Sequence, residues 1–419
     1  MPDSALFLGL DLGTSGARAV VIDAAGAQVA TFRSSLADHG ANYRAPAMWW
    51  AAARTALAGA LAQVDAGRVR AVAVDGTSGT MLAVDGDAHP LGDGVMYNDP
   101  CTEVAILDAI AAHAPATSAA HGATSGAARA IVLGRLAPHK VLHQADWISW
   151  HLSGRMVTDA NNALKTGYDP VAALWPDWMA AAGVELRLLP PVLEPGEPIG
   201  PVTAQAVADF GLSADCLVVA GTTDGCASFL ATGAANPGDG VTALGTTLTI
   251  KLLSDRPIFA PQYGIYSHRI LGQWLAGGAS NSGGAAILAH FTPDEMAALS
   301  LRIDPETETG LDYYPLPVPG ERFPVADPLL APRVSPRPAQ DMDFLQGLFE
   351  GVAQIEALAF QRLAELGAPA LRSVRSVGGG AANPVWTRIR ARRLGVPMAV
   401  PLSDEAAFGA AILAQRGAA

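Results

Sequence analysis

The sequence predicts a mixed α/β protein built from two related halves, and three observations carry that expectation. Half of the 419 residues are apolar and only 16% are charged, enough to bury a large core. Short β-branched runs alternate with segments of helical composition along the chain. A strand-turn-strand unit built on Leu12-Gly13-Thr14-Ser15 recurs as Leu244-Gly245-Thr246-Thr247, so a duplicated domain is expected.

The elements follow in order. Leu6 to Leu10 is an apolar run, Asp11 to Gly16 a glycine-rich turn and Ala17 to Ile22 a second run ending near the turn Asp23–Gly26, which together read as a hairpin. Gln28 to Phe32 continues as a third strand, Ala47 to Val64 has helical composition, and Val69 to Val74 is a strand running into Asp75-Gly76-Thr77-Ser78-Gly79-Thr80. Trp175 to Pro201 is proline-rich and reads as loop, whereas Leu217 to Ala220 is a buried strand that leads through Asp224-Gly225 into a helix. In the second half, Val241-Ala243 and Leu248-Leu252 flank the repeated turn, and Pro315 to Pro338 reads as a surface excursion or linker. Phe344 to Leu366 carries apolar residues at helical spacing up to Gly367. Ser373 to Val377 is a strand, Gly378–Gly380 a tight loop, Asn383 a helix cap with Pro384 in the first turn, and Gly395 the stop.

Charge and composition exclude several classes. With 27 basic against 39 acidic side chains and a net −12, the chain lacks the basic surplus of a nucleic-acid binder. The uncharged run from Ile270 to Pro293 holds five glycines and several polar residues, too polar for a lipid-spanning helix. The first residues carry an acid at position 3 and no basic residue before Arg18, so no secretory signal is expected and the location is read as cytoplasmic. Cys101, Cys216 and Cys226 form no C-x-x-C pair and fit a reducing compartment as small packed side chains. His139 and His143 are read as a helix surface, since no His or Cys cluster has metal-ligand spacing.

Glycine turns that follow strands expose backbone N–H groups and let a phosphate approach the main chain. Gly13-Thr14-Ser15-Gly16 and Gly245-Thr246-Thr247 are such turns, and each is either an ordinary hairpin or one jaw of a polyphosphate clamp. A P-loop is excluded, because the three lysines, Lys140, Lys165 and Lys251, follow His139, Leu164 and Ile250 rather than glycine. The dinucleotide fingerprint is excluded too, because Gly9, Gly13 and Gly16 have the wrong spacing. Asp11 either stabilises its turn or holds Mg²⁺ through water. Asp224 is either a helix cap or a general base for an attacking hydroxyl. Gly378-Gly379-Gly380 with Asn383 and Trp386 is either a tight turn over a core tryptophan or a platform for a purine.

Taken together, LGLDLGTSGARAVVID from Leu8, DWISWHLSGRMVTDANNALKTGYD from Asp146, AGTTDGCASFLATGA from Ala220, TALGTTLTI from Thr242, SVGGGAANPVWTRIRARRLGVPM from Ser376 and the closing stretch Glu405–Ala414 resemble the FGGY carbohydrate kinases. That family belongs to the ATPase superfamily of actin and the heat-shock chaperones, and the resemblance covers nearly the whole chain in order. It implies two ribonuclease-H-like α/β domains around a central cleft, the first formed by residues 1–231 plus 405–419 and the second by residues 232–404. It also implies transfer of the γ-phosphoryl group of MgATP to a sugar hydroxyl, in a monomer or homodimer, with ATP and Mg²⁺ as cofactors. By the same resemblance Asp224 is the catalytic base, Asp11 acts beside it with Mg²⁺, and both face the sugar. Gly13, Thr14 and Ser15 form the first phosphate loop and Gly245 and Thr246 the second, while Gly379, Gly380, Asn383 and Trp386 match the adenosine site.

The chain is compact for the family and resembles its D-ribulose kinases of cyanobacteria and plants, which are easily mistaken for xylulokinases. Asp75–Thr80 aligns with the first sugar-binding loop and lacks the Arg-Glu of glycerol kinases and the Met-His of xylulokinases. A small neutral loop leaves room for a ketopentose, with Ser78 bonding one hydroxyl. The family's W-x-D-x-R is altered to Tyr97-Asn98-Asp99-Pro100-Cys101, which leaves Asp99 as a further sugar contact. D-ribulose is the expected substrate. D-xylulose or another pentulose is the alternative, and a non-catalytic nucleotide-dependent sugar sensor is the rival from another class.

Overall fold

The computed structural model describes residues 5–419, so the acid at position 3 that entered the reading of the N-terminus lies outside the described residues. Packing divides the chain into two units. The first takes the chain up to Ala231 together with His268–Gly272 and Glu405–Ala419, and the second takes Thr232–Ser267 and Gln273–Asp404.

In the first unit β1 (Leu6–Leu12), β2 (Gly16–Asp23), β3 (Gln28–Ser35) and β4 (Val69–Gly76) are joined by β5 (Pro198–Pro201) and β6 (Leu217–Thr223) in the order β3-β2-β1-β4-β6-β5. The hairpins β1-β2 and β2-β3 are antiparallel, whereas β4 pairs in parallel with both β1 and β6. β1 is buried along its whole length, with Leu6, Phe7, Leu8, Leu10 and Leu12 packed on both faces. Two helices, α1 (Pro46–Leu61) and α2 (Gln144–Ser153), supply Trp49, Ala53, Leu57 and Ile148 to the same core as β1. β6 runs directly into α3 (Asp224–Ala231). The last helix of the chain, Ala406–Gly417, crosses α3 at close range, for a Cβ at Gly409 would stand 1.8 Å from the Ala227 carbonyl oxygen. Only glycine fits that crossing.

The second unit repeats the arrangement. β7 (Asp239–Leu244), β8 (Leu248–Ser254), β9 (Gln273–Ser280), β10 (Ser373–Val377) and β11 (Met398–Ala399) stand in the order β9-β8-β7-β10-β11. Here too a three-stranded antiparallel run meets parallel strands, β10 beside β7 and β11 beside β10. The repeated Leu-Gly-Thr thus marks a repeated topology. The long helix α4 (Asp341–Glu365) buries Phe344, Leu348, Phe349, Val352, Ile355, Ala359 and Leu363 at the spacing read from the sequence. It is followed by β10, and then by α5 (Pro384–Leu394), which Asn383 caps by accepting from the Val385 and Trp386 N–H groups and which ends at Gly395 with φ 66°.

Three expectations need correction. The stretch 315–338 is a surface excursion only in part: Val318 and Leu329 are exposed, but Phe323 is fully buried, and the Glu321 carboxylate accepts from Ser280 Oγ, the Asn281 N–H and Tyr314 Oη. The proline spacing hid a buried acid and a phenylalanine that pack under β9, where a Cβ at Gly278 would meet the Phe323 ring at 2.6 Å. The 175–201 region, read as loop, holds a short helix Trp178–Ala181 and strands Val192–Leu193 and β5. His143 ends a strand rather than lying on a helix surface, and it is buried against Asp146, Thr158 and Thr166.

Candidate functional site

In the first unit the glycine turn and two strand ends converge. The turn closes with the Gly13 N–H on the Gly16 carbonyl at 3.0 Å and leaves Thr14 and Ser15 exposed. A Cβ at Gly16 would lie 2.2 Å from the Ser34 carbonyl, so the close approach of β2 to β3 requires glycine there. On the strand below the turn, Asp11 stands in register with Asp75 of β4 and with Arg18 of β2.

Parallel pairing therefore places two buried carboxyls side by side. Asp75 is fully buried, neither of its carboxylate oxygens has a hydrogen-bond partner, and the Asp11 carboxyl is its neighbour in register. Burial, followed by the charge of Asp11 and the charge of Asp224, raises Asp75 well above the ordinary carboxylate range. Burial pushes Asp11 up to about 6, and Asp224 repels it further. Arg18 at 3.8 Å offsets part of this and is itself held 3.5 Å from Glu405, which also pairs with Arg33. Asp224, the first residue of α3, is half-buried and accepts from the Gly225 N–H at 2.7 Å. The three carboxylates thus belong to one electrostatic group. Asp75, quoted from sequence only as the start of a sugar loop, has become its most buried member.

The strand that delivers Asp224 is held from below. Asn161, wholly buried, donates to Thr222 Oγ1 at 2.9 Å and binds Arg269 through both the Arg269 N–H and carbonyl. The loop after Asp75 is fixed in turn by Thr77 Oγ1, which meets Thr80 Oγ1 at 2.6 Å and donates to Gln144 Oε1 at 2.9 Å. Ser78 Oγ is buried without a hydrogen-bond partner. Asp99 is engaged: both Arg44 Nη atoms donate to its carboxylate, one at 2.7 Å, and the Met96 N–H adds a bond at 2.8 Å. These partners, led by Arg44, hold Asp99 below the usual carboxylate range.

The second unit offers donors where the first offers acids. Its turn is closed by the Gly245 N–H on the Thr247 carbonyl, and the Gly284 and Ala285 N–H groups bond the Gly245 and Thr246 carbonyls at 2.9 and 3.1 Å. Thr246 and Thr247 are exposed. Gly378, at φ 83°, lies against Leu244, the residue before that turn, and a Cβ there would sit 2.9 Å from the Leu244 carbonyl oxygen. Gly379 has open space over it. Trp386 is not a free platform: it is 2% exposed, stacks on Phe349 at 4.8 Å, and donates Nε1–H to the Phe349 carbonyl. The core reading of this tryptophan is therefore the correct one, and no ring face remains for a purine. Asn383 is committed on both sides, capping α5 through Oδ1 and donating Nδ2–H to Ser300 Oγ at 2.8 Å.

Behind these loops lies a fully buried ion pair that sequence reading missed. Arg390 donates to Glu356 through Nε and Nη2, both at 2.6 Å, and to Ser376 Oγ, while Thr242 Oγ1 donates to Glu356 at 2.6 Å. It ties β7, β10, α4 and α5 together, and β7 and β10 lead into the two loops.

Among the described residues no cluster of three or more His, Cys, Asp or Glu side chains has the makings of a metal cage, and no helix is long and apolar enough to cross a membrane. An ion that keeps most of its water and arrives with phosphates needs no such cage, and the acid beside Thr14 and Ser15 has the hard oxygen chemistry suited to one.

The N-terminal domain of the FGGY family of carbohydrate kinases matches residues 6–119 and 132–231, and its C-terminal domain matches residues 240–418. An autoinducer-2 kinase from Yersinia enterocolitica is 30% identical over 298 residues, 65% of this chain and 56% of that protein, so the chain spans little more than half the length of the curated relatives it matches. A xylulose kinase structure from Brucella ovis, 26% identical, superposes with a TM-score of 0.85 over 99% of this chain and 90% of that one. A xylulose kinase structure from Rhodospirillum rubrum, at 24% identity and a TM-score of 0.80, covers 98% and 89% and agrees in fold.

Proposed function

The chain belongs to the FGGY family of carbohydrate kinases, and from that premise we propose that it transfers the γ-phosphoryl group of MgATP to a hydroxyl of a ketopentose, D-ribulose first among them. The observation that carries the reading is the carboxylate group of the first unit. Asp224, half-buried at the start of α3, is assigned as the base that takes the proton of the attacking hydroxyl. Asp11, with Thr14 and Ser15 above it, is assigned to the phosphate side, where Mg²⁺ enters with ATP and spreads the charge of the transferring group. Asp75, buried beside Asp11 in register, sets the charge environment of that carboxylate.

Gly13 and Gly245, whose lack of a Cβ lets a phosphate approach the main chain of their turns, and Thr246, with its exposed hydroxyl, are assigned to the phosphates, and Gly379 and Gly380 to the adenosine. Asn383 serves that region by capping α5, and Trp386 by supporting the glycines from the core. Ser78, with its unsatisfied hydroxyl, is assigned to the sugar. Asp99 shapes the rim through Arg44. The neutral Ser78 loop favours D-ribulose; the likeness to the Brucella ovis structure favours D-xylulose as the nearest alternative. The autoinducer-2 kinases raise a second reading, autoinducer-2 as acceptor. A cytoplasmic location, where ATP is at hand, and a monomer or homodimer go with this reading.

The test is ADP release with MgATP against D-ribulose, L-ribulose, D-xylulose, L-xylulose, autoinducer-2 and glycerol, with a control lacking sugar. Preference for D-ribulose supports the full reading. Preference for another carbonyl sugar retains the kinase and discards the Ser78 argument, and saturable sugar binding without ADP release establishes a sensor instead.

A further inference from the structure

Beside the Ser78 loop lies a buried cation that the mechanism above does not use. Arg129 sits in the helix Gly126–Gly134 and is 4% exposed. Its Nη1 donates to the Thr124 carbonyl at 2.8 Å, and its Nη2 donates to the Tyr97 and Asp99 carbonyls at 2.7 and 3.0 Å. All three acceptors are neutral main-chain oxygens. The carboxylate nearest in charge, Asp99, is already held by Arg44. Nε–H is buried and has no acceptor. A buried donor left unmade costs the desolvation of that group, so such an atom calls for a partner.

Its position identifies the partner's surroundings. A Cβ built on Gly79 would stand 3.2 Å from Arg129 Nη1, and Gly79 holds φ 93°, so the guanidinium lies directly against the turn that carries Ser78. Ser78 Oγ is the other unpartnered atom of that turn. One is a donor only, and the other donates and accepts. A ligand that satisfies both presents a hydroxyl to Ser78 and, close by, an oxygen that needs only to accept.

We propose that Arg129 is a specificity-determining residue of the acceptor site, held against the Thr77–Gly79 turn by the Thr124, Tyr97 and Asp99 carbonyls and offering Nε–H to an acceptor oxygen of the substrate. A ketose carbonyl or an aldonate carboxylate meets that demand without bringing a proton of its own. An alditol replaces it with a hydroxyl whose proton needs a further acceptor. The site therefore selects a carbonyl sugar over its reduced counterpart. This rests on the kinase reading above and deepens it by naming the residue that reads the carbonyl.

The experiment measures ADP release by the full chain with two matched pairs, D-ribulose against ribitol and D-xylulose against xylitol, for the wild type, Arg129→Lys and Arg129→Met. Sugar and ATP are varied separately, and a thermal melt is recorded for each protein. The wild type should favour the better ketose over its alditol by at least about tenfold in kcat/KM. Arg129→Met should raise the ketose KM about tenfold, bring the ketose-to-alditol ratio toward one and leave the ATP KM within about twofold. Arg129→Lys should recover part of the ratio. A wild-type ratio near one overturns the proposal even where no variant folds, as does an Arg129→Met enzyme that keeps the ratio while kcat and both KM values worsen together. Wild-type turnover that no sugar stimulates removes the kinase reading, and this inference with it.

Discussion

Two turns of nearly identical sequence sit in very different surroundings. Leu12-Gly13-Thr14-Ser15 stands over Asp11, Asp75 and the field of Asp224, whereas Leu244-Gly245-Thr246-Thr247 stands over Thr242, Ser376 and a neutralised Glu356–Arg390 pair. Each lies on an antiparallel hairpin of the same kind, beside a parallel strand. A duplicated scaffold thus fixes the shape of a turn, and the strand ends beneath it decide its chemistry. The acidic version suits proton transfer and a cation-bound phosphate; the neutral version suits a nucleotide held by N–H and hydroxyl donors.

The largest expected effect tests the acidic side. Asp224→Ala should lower kcat by roughly 10²–10⁴-fold while leaving ATP affinity near that of the wild type, read by steady-state kinetics and by calorimetry with a non-hydrolysable ATP analogue. The neutral side is tested by Arg390→Ala, which strands Glu356 as a buried unpaired charge. It should cost on the order of 3–5 kcal/mol in denaturant unfolding and raise the ATP KM more than the sugar KM.

A subtler contrast concerns pH. Asp11 and Asp75 are raised in the fold, so the native state holds protons that the unfolded chain has released, and this contribution to stability declines as pH rises from about 4 through about 6. Asp75→Asn should therefore stabilise the protein at pH 7 to 8, on the order of 1–3 kcal/mol, with the gain fading near pH 4, while activity falls because the charge beside Asp11 changes. A melt series across pH reads the first effect. No gain at pH 8 would show that the two carboxyls are not strained by one another. The smallest effect is that of Ser78→Ala, a several-fold rise in sugar KM with kcat nearly unchanged.

Much of this was legible in the sequence. The paired turns, the strand ends at Asp11 and Asp224, the Asn383 cap and the helix ending before Gly367 follow from local patterns that need no partner. What stayed hidden depends on pairing between distant segments. Nothing local shows that β4 lies parallel to β1 in the register that sets Asp75 against Asp11. Likewise Arg129, Asn161 and the Glu356–Arg390 pair are ordinary letters in helices until the fold brings them beneath a loop. Trp386 shows the converse: a glycine loop followed by an aromatic suggests a platform, but Phe349, from a helix far upstream in the chain, claims its face. Glu321 and Phe323 show that prolines mark irregular backbone without saying whether it is buried.

The most direct test of the central claim is transfer of radiolabel from γ-labelled ATP to sugar, comparing the wild type with Asp224→Ala across the pentulose panel. The account predicts labelled pentulose phosphate from the wild type, D-ribulose giving the most, and none above background from the variant. Label that appears only as inorganic phosphate, or equal sugar labelling by the two proteins, would contradict it.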